Sequence, residues 1–174
     1  MKSILISIKP KYVELIANGE KTIEVRKSAP KEVPFKAYIY ETKGATEMPW
    51  VDEDGHFIYK GRGQVIGEFV CDKVMFLTPL GLRGFEMREE ILKSICLTND
   101  DLNAYGGLKT LYGWHISDLK IYDGQKDLSE FKRWNRTEEN APCAHTKWLY
   151  PDCKDCEACK LTRPPQSWCY VEEL

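Results

Sequence analysis

Lys21, Glu24 and Arg26 lie close together in the stretch Gly19-Glu20-Lys21-Thr22-Ile23-Glu24-Val25-Arg26. An ammonium, a carboxylate and a guanidinium at this spacing can do two kinds of chemistry. The first is recognition: Lys21 and Arg26 offer phosphate a point charge and a planar fork, while Glu24 can accept hydrogen bonds from the exocyclic amine of a base. The second is proton transfer, because a lysine beside a carboxylate in a dry cleft shifts its pKa and can act as a base. Thr22 adds a hydroxyl to the set. The plain alternative is a surface ion pair between Glu24 and Arg26, a contact that contributes little.

A second chemistry lies in the thiols. Cys153-x2-Cys156-x2-Cys159 supplies three of them, and Cys143 or His145 can supply a fourth ligand from across a loop. Four such ligands in a tetrahedron suit a structural zinc ion, which would tie down a segment too polar to fold by burial alone. An iron–sulfur cluster is the rival. Its bacterial pattern continues x3-Cys-Pro, whereas here Leu161-Thr162-Arg163 leads to Pro164 without a cysteine.

The elements that must position these groups follow from local patterning. Residues 3–8 form a short strand rich in β-branched side chains, and residues 9–18 a short helix with Pro10 in its first turn and Gly19 placed to stop it. Thr22 to Arg26 then reads as a strand whose alternation sends Ile23 and Val25 into a core and Thr22, Glu24 and Arg26 to the other face. Further strands are expected at 35–41, 64–71, 73–77 and 113–122. Gly67 inside one of them suggests a bulge or a close backbone approach. Thr78-Pro79 is a helix-start signal whose first turns Gly81 and Gly84 make irregular; Met87, Ile91 and Ile95 at four-residue spacing then carry a helix to about Cys96, and Thr98 caps another that halts at Gly106-Gly107. Residues 43–63 read as an exposed loop or hairpin excursion pinned by Trp50 and Phe57.

Five or six strands with two or three short helices, and no regular strand-helix alternation, predict an α+β fold: a small mixed barrel with flanking helices. The 174 residues suit one domain, 1–174, with a Cys-rich insertion at about 137–163 and a closing strand at about 167–172. A hydrophobic content of 43% and a charged content of 30% fit a soluble globule. No apolar run approaches the ~20 residues a bilayer span needs, so no membrane partner is expected and the reading is cytoplasmic, with reduced cysteines. A net charge of -2 excludes a globally basic nucleic-acid binder. Residues 1–36 nevertheless hold eight Lys or Arg against four Asp or Glu, so any electrostatic footprint is local.

These residues resemble the ASCH domains, relatives of the PUA fold. Ser7-Ile8-Lys9-Pro10-Lys11-Tyr12 leading into Gly19 to Arg26 is similar to that family's G-x-K-x-x-E-x-R signature. Tyr38 to Glu41, Val65 to Glu68, Trp114 to Ile116 and Pro164 to Val171 extend the likeness. The resemblance implies a PUA-like barrel with a cleft beside the signature helix and strand, and RNA or a modified nucleotide as partner. The candidate ligand-binding residues are then Lys9, Tyr12, Lys21, Thr22, Glu24, Arg26, Tyr40, Glu68 and Trp114. Tyr12, Tyr40 and Trp114 are candidates to stack on an unpaired base, with ordinary burial as the alternative for each.

The same family contains a branch that hydrolyses N4-acetylcytidine, so an amidohydrolase acting on N4-acylated cytidine is the alternative, with Lys21 and Glu24 as its catalytic pair. Glu24 stands here where that branch uses a threonine, which removes its hydroxyl nucleophile, and Glu68 or Glu86 would have to supply the further carboxylate. A third possibility is a protein-interaction adaptor. His115, beside Trp114, reads as a structural histidine.

Overall fold

The computed structural model describes residues 2–44, 50–51, 57–58, 61–134 and 160–174. β1 (Lys2–Ile8) and β3 (Phe35–Glu41) run parallel, in register from Lys2 opposite Phe35 to Ile8 opposite Glu41. Parallel neighbours need a crossover, and here α1 (Pro10–Ala17) and β2 (Ile23–Arg26) supply it. The signature stretch is therefore carried off the main sheet and onto its flank. β6 (Val65–Cys71) and β9 (Ser117–Lys126) extend the sheet antiparallel, and β10 (Trp168–Val171) closes the far side of β1, giving the order β10-β1-β3-β6-β9. A second sheet has β8 (Leu111–His115) between β2 and β7 (Val74–Leu77). β4 (Trp50–Val51) and β5 (Phe57–Ile58) pair antiparallel within the excursion.

Alternation along the central strands divides the core. Ile4, Ile6 and Ile8 of β1, with Phe35, Ala37 and Ile39 of β3, pack on one face with Val13 and Ile16 of α1. Leu5, Tyr38 and Tyr40 point to the opposite face, among Val65, Leu128, Phe131 and Leu161. A third cluster joins Ile23 and Val25 of β2 to the helices α2 (Glu89–Ile95) and α3 (Asn99–Gly106) through Ile95 and Leu102. Each fully buried side chain of this size contributes roughly 1.5–3 kcal/mol. β2 is thus fastened by its apolar side, which leaves Glu24 and Arg26 facing away from that cluster.

Three local expectations are corrected. The helix expected after Thr78-Pro79 starts late: Gly81 and Gly84, at φ of 57° and 77°, limit the first turns to a 3-10 turn at Gly81–Arg83, and the regular helix toward Cys96 is α2 (Glu89–Ile95). Strand β2 begins at Ile23, so Thr22 stands outside it. The strand expected over 113–122 is two strands in different sheets: Ile116 N–H donates to the Thr22 carbonyl between them, and Asp118 at φ 46° turns the chain. The remaining strands and the Thr98 cap, a capping box with Asp101, form as patterned. Among the described residues no helix is long and apolar enough to cross a membrane.

Gly67 is a position of close approach, since a Cβ there would lie 2.5 Å from the Lys120 carbonyl oxygen of β9. Gly67→Ala should therefore destabilise the fold by about 1–3 kcal/mol, as overpacking does. Urea denaturation should record a lower midpoint with an unchanged slope.

Candidate functional site

A cleft of about 760 Å³ opens beside α1 and β2, with α3 on one wall and Pro164, Pro165 and Gln166 on another. Local sequence explains why Lys21 sits at its floor. Gly19 adopts φ 75° to end α1, and the following turn is held as Glu20 and Lys21 N–H groups donate to the Leu15 carbonyl at 2.9 and 3.0 Å. Lys21 is 2% exposed. Its Nζ donates to the Ile95 carbonyl at the end of α2, lies 3.6 Å from Glu24 Oε2, and stands 5.2 Å from the centre of the Tyr12 ring. Burial holds the Lys21 pKa below the ordinary lysine value, with the Glu24 carboxylate opposing that shift.

Glu24 and Arg26 complete the floor. Arg26 Nη2 lies 3.0 Å from Glu24 Oε1 and donates to the Ser7 carbonyl at 2.6 Å. Both residues are buried, so the pair is no exposed ion pair of the weak surface kind. Glu24 Oε2 and Arg26 Nε have no hydrogen-bond partner among the described residues. Ser3 Oγ and Trp114 Nε1, outside the cleft, are in the same state, and Glu24 Oε2 still faces the Lys21 ammonium at 3.6 Å, so the floor is a buried charge cluster with hydrogen-bonding capacity left over. Ser7 also secures the wall: its Oγ donates to the Pro165 carbonyl at 2.6 Å and its N–H to the Ser167 carbonyl at 2.9 Å.

Of the residues singled out from the sequence, Lys9, Tyr12, Lys21, Glu24 and Arg26 line this cleft together. Four others do not. Thr22 is exposed, its backbone tied to Ser94 and Ile116. Tyr40 is 4% exposed under the opposite face of the main sheet, where strand parity sends it with Tyr38. Glu68 lies on that same side, accepting the Tyr122 hydroxyl at 2.6 Å, with Lys36 at 3.9 Å. Trp114, opposite Glu24 in the β2–β8 register, is wholly buried against Phe35 and Trp168 at ring distances of 5.1 and 5.9 Å. Glu86 stands at the surface beside Arg83. His115 Nδ1 meets Asp72 at 2.5 Å, and that hydrogen bond holds the Asp72 carboxyl below the usual carboxylate range.

Tyr105 is the cleft aromatic that sequence reasoning missed. It lies on α3 with Asp101 and Ala104, all three lining the cleft, and Lys27 Nζ stands 4.8 Å from its ring centre. The signal was present as i, i+3, i+4 spacing from Asp101, but no pattern within α3 says which neighbour that face meets. Tyr12 opposes in kind as a half-buried ring whose hydroxyl pKa is raised by burial first and by the Asp101 charge second. Two aromatic rings and a charged, buried floor suit a planar polar ligand.

The candidate zinc ligands Cys143, His145, Cys153, Cys156 and Cys159 lie outside the described residues. Among the described residues no group of three or more His, Cys, Asp or Glu side chains is placed to hold a metal.

No curated protein matches the sequence. The crystal structure of ASCH from Zymomonas mobilis aligns over 99% of this chain and 89% of its own, at 16% identity and a TM-score of 0.58. A serine-to-alanine mutant of that protein aligns over the same shares at 17% identity and a TM-score of 0.53. At such identities the likeness shows a shared fold. The model of the ASCH domain matches residues 6–163, nearly the whole span that carries the cleft, and the chain belongs to the ASCH domain family.

Proposed function

We propose that the cleft binds an unpaired nucleotide, either within RNA or free and modified, with its base held at the floor. The observation that carries this reading is the convergence of Lys21, Glu24 and Arg26, all buried, at the bottom of a cleft walled by Tyr12 and Tyr105. A base offers a planar π surface to the tyrosines and a polar edge to the floor. Arg26 is already engaged by Ser7 and Glu24, so its part is to orient the carboxylate. Phosphate falls instead to cations outside the floor such as Lys9, which is exposed and lines the cleft. Calorimetric titration with a panel of modified nucleosides and short single-stranded RNAs tests this. Glu24→Gln, which keeps an acceptor for Arg26 but loses the charge, should weaken binding about tenfold or more, the worth of a charge-assisted hydrogen bond. Unchanged affinity would remove Glu24 from the site.

A second reading rests on Lys21, whose pKa is lowered by burial while its Nζ stays 3.6 Å from a carboxylate. Such a lysine suits proton transfer, and hydrolysis of an N4-acylated cytidine is the reaction to assay. Thr22 stands apart from the cleft, so that chemistry would run without its hydroxyl. Turnover followed by mass spectrometry and abolished in a folded Lys21→Ala would place this reading first.

For the Cys-rich segment we propose a structural zinc held by Cys143, Cys153, Cys156 and Cys159, with His145 as the alternative fourth ligand. The bridge between Lys132 and Lys160 brings the two ends of that segment together, as a closed insertion requires. The purified protein should carry one zinc per chain by elemental analysis, and Cys156→Ser should release it. An iron–sulfur absorbance or a metal-free chain would contradict the assignment.

A further inference from the structure

We infer that a second contact surface leads from the cleft along β10 and takes the nucleotides flanking the one in the cleft, so that the preferred ligand is a single-stranded RNA of several nucleotides. This rests on the nucleotide reading above and goes beyond it in naming the ligand's length and path.

The path joins side-chain contacts through chain neighbours. Lys27 Nζ lies over the Tyr105 ring on the cleft wall, and the next residue, Ser28, accepts the Trp168 indole N–H at 3.2 Å. Trp168 follows Gln166, a lining residue, by two positions, so the wall of the cleft passes straight into β10. Trp168 and Tyr170 share one face of the strand and meet edge to face at 5.4 Å. Tyr170 meets Trp134 at 5.8 Å, again edge to face. The row begins and ends at the surface, Tyr105 being 38% and Trp134 37% exposed.

Burial accounts for the inner members of this row and less for its outer end. Trp168 and Tyr170 pack partly against the first core cluster, but Trp134 stands beyond them and leaves over a third of its surface open. Aromatic rings following one another from a cleft edge that carries Lys27 offer a single strand successive contacts, because every base has a π face and stacking tolerates any sequence. Lys27 supplies local positive charge for the backbone, which an overall charge of -2 does not. A duplex, with its bases already stacked on one another, could not use the rings.

The test compares two probes on the full chain: a random-sequence RNA hexamer and an equimolar mixture of the four ribonucleoside 5′-monophosphates. The hexamer should bind at least about tenfold more tightly. Trp134→Ala should cost the hexamer about tenfold and leave the monophosphates unchanged, while Trp134→Phe should retain most of the hexamer affinity. Circular dichroism confirms that the variants remain folded. A hexamer no tighter than the monophosphates, or an equal loss for both probes in Trp134→Ala, overturns the inference. Hexamer binding lost in Trp134→Ala but untouched by Glu24→Gln keeps the aromatic row and removes the cleft reading. Failure of both probes to bind removes both.

Discussion

Glu24→Ala should be among the most destabilising single changes in this chain, at about 3–5 kcal/mol, the range for breaking a buried ion pair by removing one partner. The reason is asymmetry. Glu24 lies between Lys21 Nζ at 3.6 Å and Arg26 Nη2 at 3.0 Å, and all three residues are less than a tenth exposed. Without the carboxylate, two neighbouring cations remain buried with the Ile95 and Ser7 carbonyls and the Tyr12 ring as their partners among the described residues. Glu24→Gln should cost distinctly less, because the amide oxygen still accepts from Arg26. Urea denaturation of the two variants checks this. A Glu24→Ala protein within about 1 kcal/mol of the parent would mean that the trio is solvated.

Trp114→Ala should lose a similar amount, about 3–5 kcal/mol, for a different reason. The side chain is fully buried where β8 crosses behind Glu24, with Phe35 and Trp168 set edge to face against it. Truncation leaves a cavity that the two sheets cannot both collapse into. Trp114→Phe should recover much of the loss. This separates the packing role from the base-stacking role that the sequence also allowed: a stacking platform loses affinity and keeps stability, whereas Trp114 should do the reverse. Ligand affinity that falls in Trp114→Phe while stability holds would contradict the placement.

Much of the fold was legible because period-two alternation is a strong constraint. β1, β3, β6 and β10 fall where the apolar patterning puts them, and the capping box of Thr98 and Asp101 starts α3 as expected. The failures have specific physical causes. Gly81 and Gly84 delay to Glu89 the helix that Thr78-Pro79 announces. A sheet change at Ile116 cannot be seen in a continuous run of strand-forming residues, because it depends on a hydrogen bond to Thr22 nearly a hundred positions away.

The site was partly legible for the same reasons. Lys21, Glu24 and Arg26 are close in sequence and stay close in space, so strand parity alone groups them. Tyr40 and Glu68 lie on the other side of the sheet from the cleft, because parity tells which residues share a face of β3 or β6 but not which face meets the cleft. Tyr105 and the Pro164–Gln166 wall come from segments far along the chain, brought in by the packing of α3 and by the Ser7 hydrogen bonds. The signature residues mark the floor of the cleft, and distant segments make its walls.

The most direct test of the nucleotide reading is photocrosslinking of the full chain to a short single-stranded RNA containing 4-thiouridine, followed by mass spectrometry of the peptides. Adducts on Tyr12 or Tyr105, competed away by excess unlabelled RNA and diminished in Glu24→Gln, are the expected result. Specific adducts confined to surfaces remote from both tyrosines would show that the cleft is not where this protein meets nucleic acid.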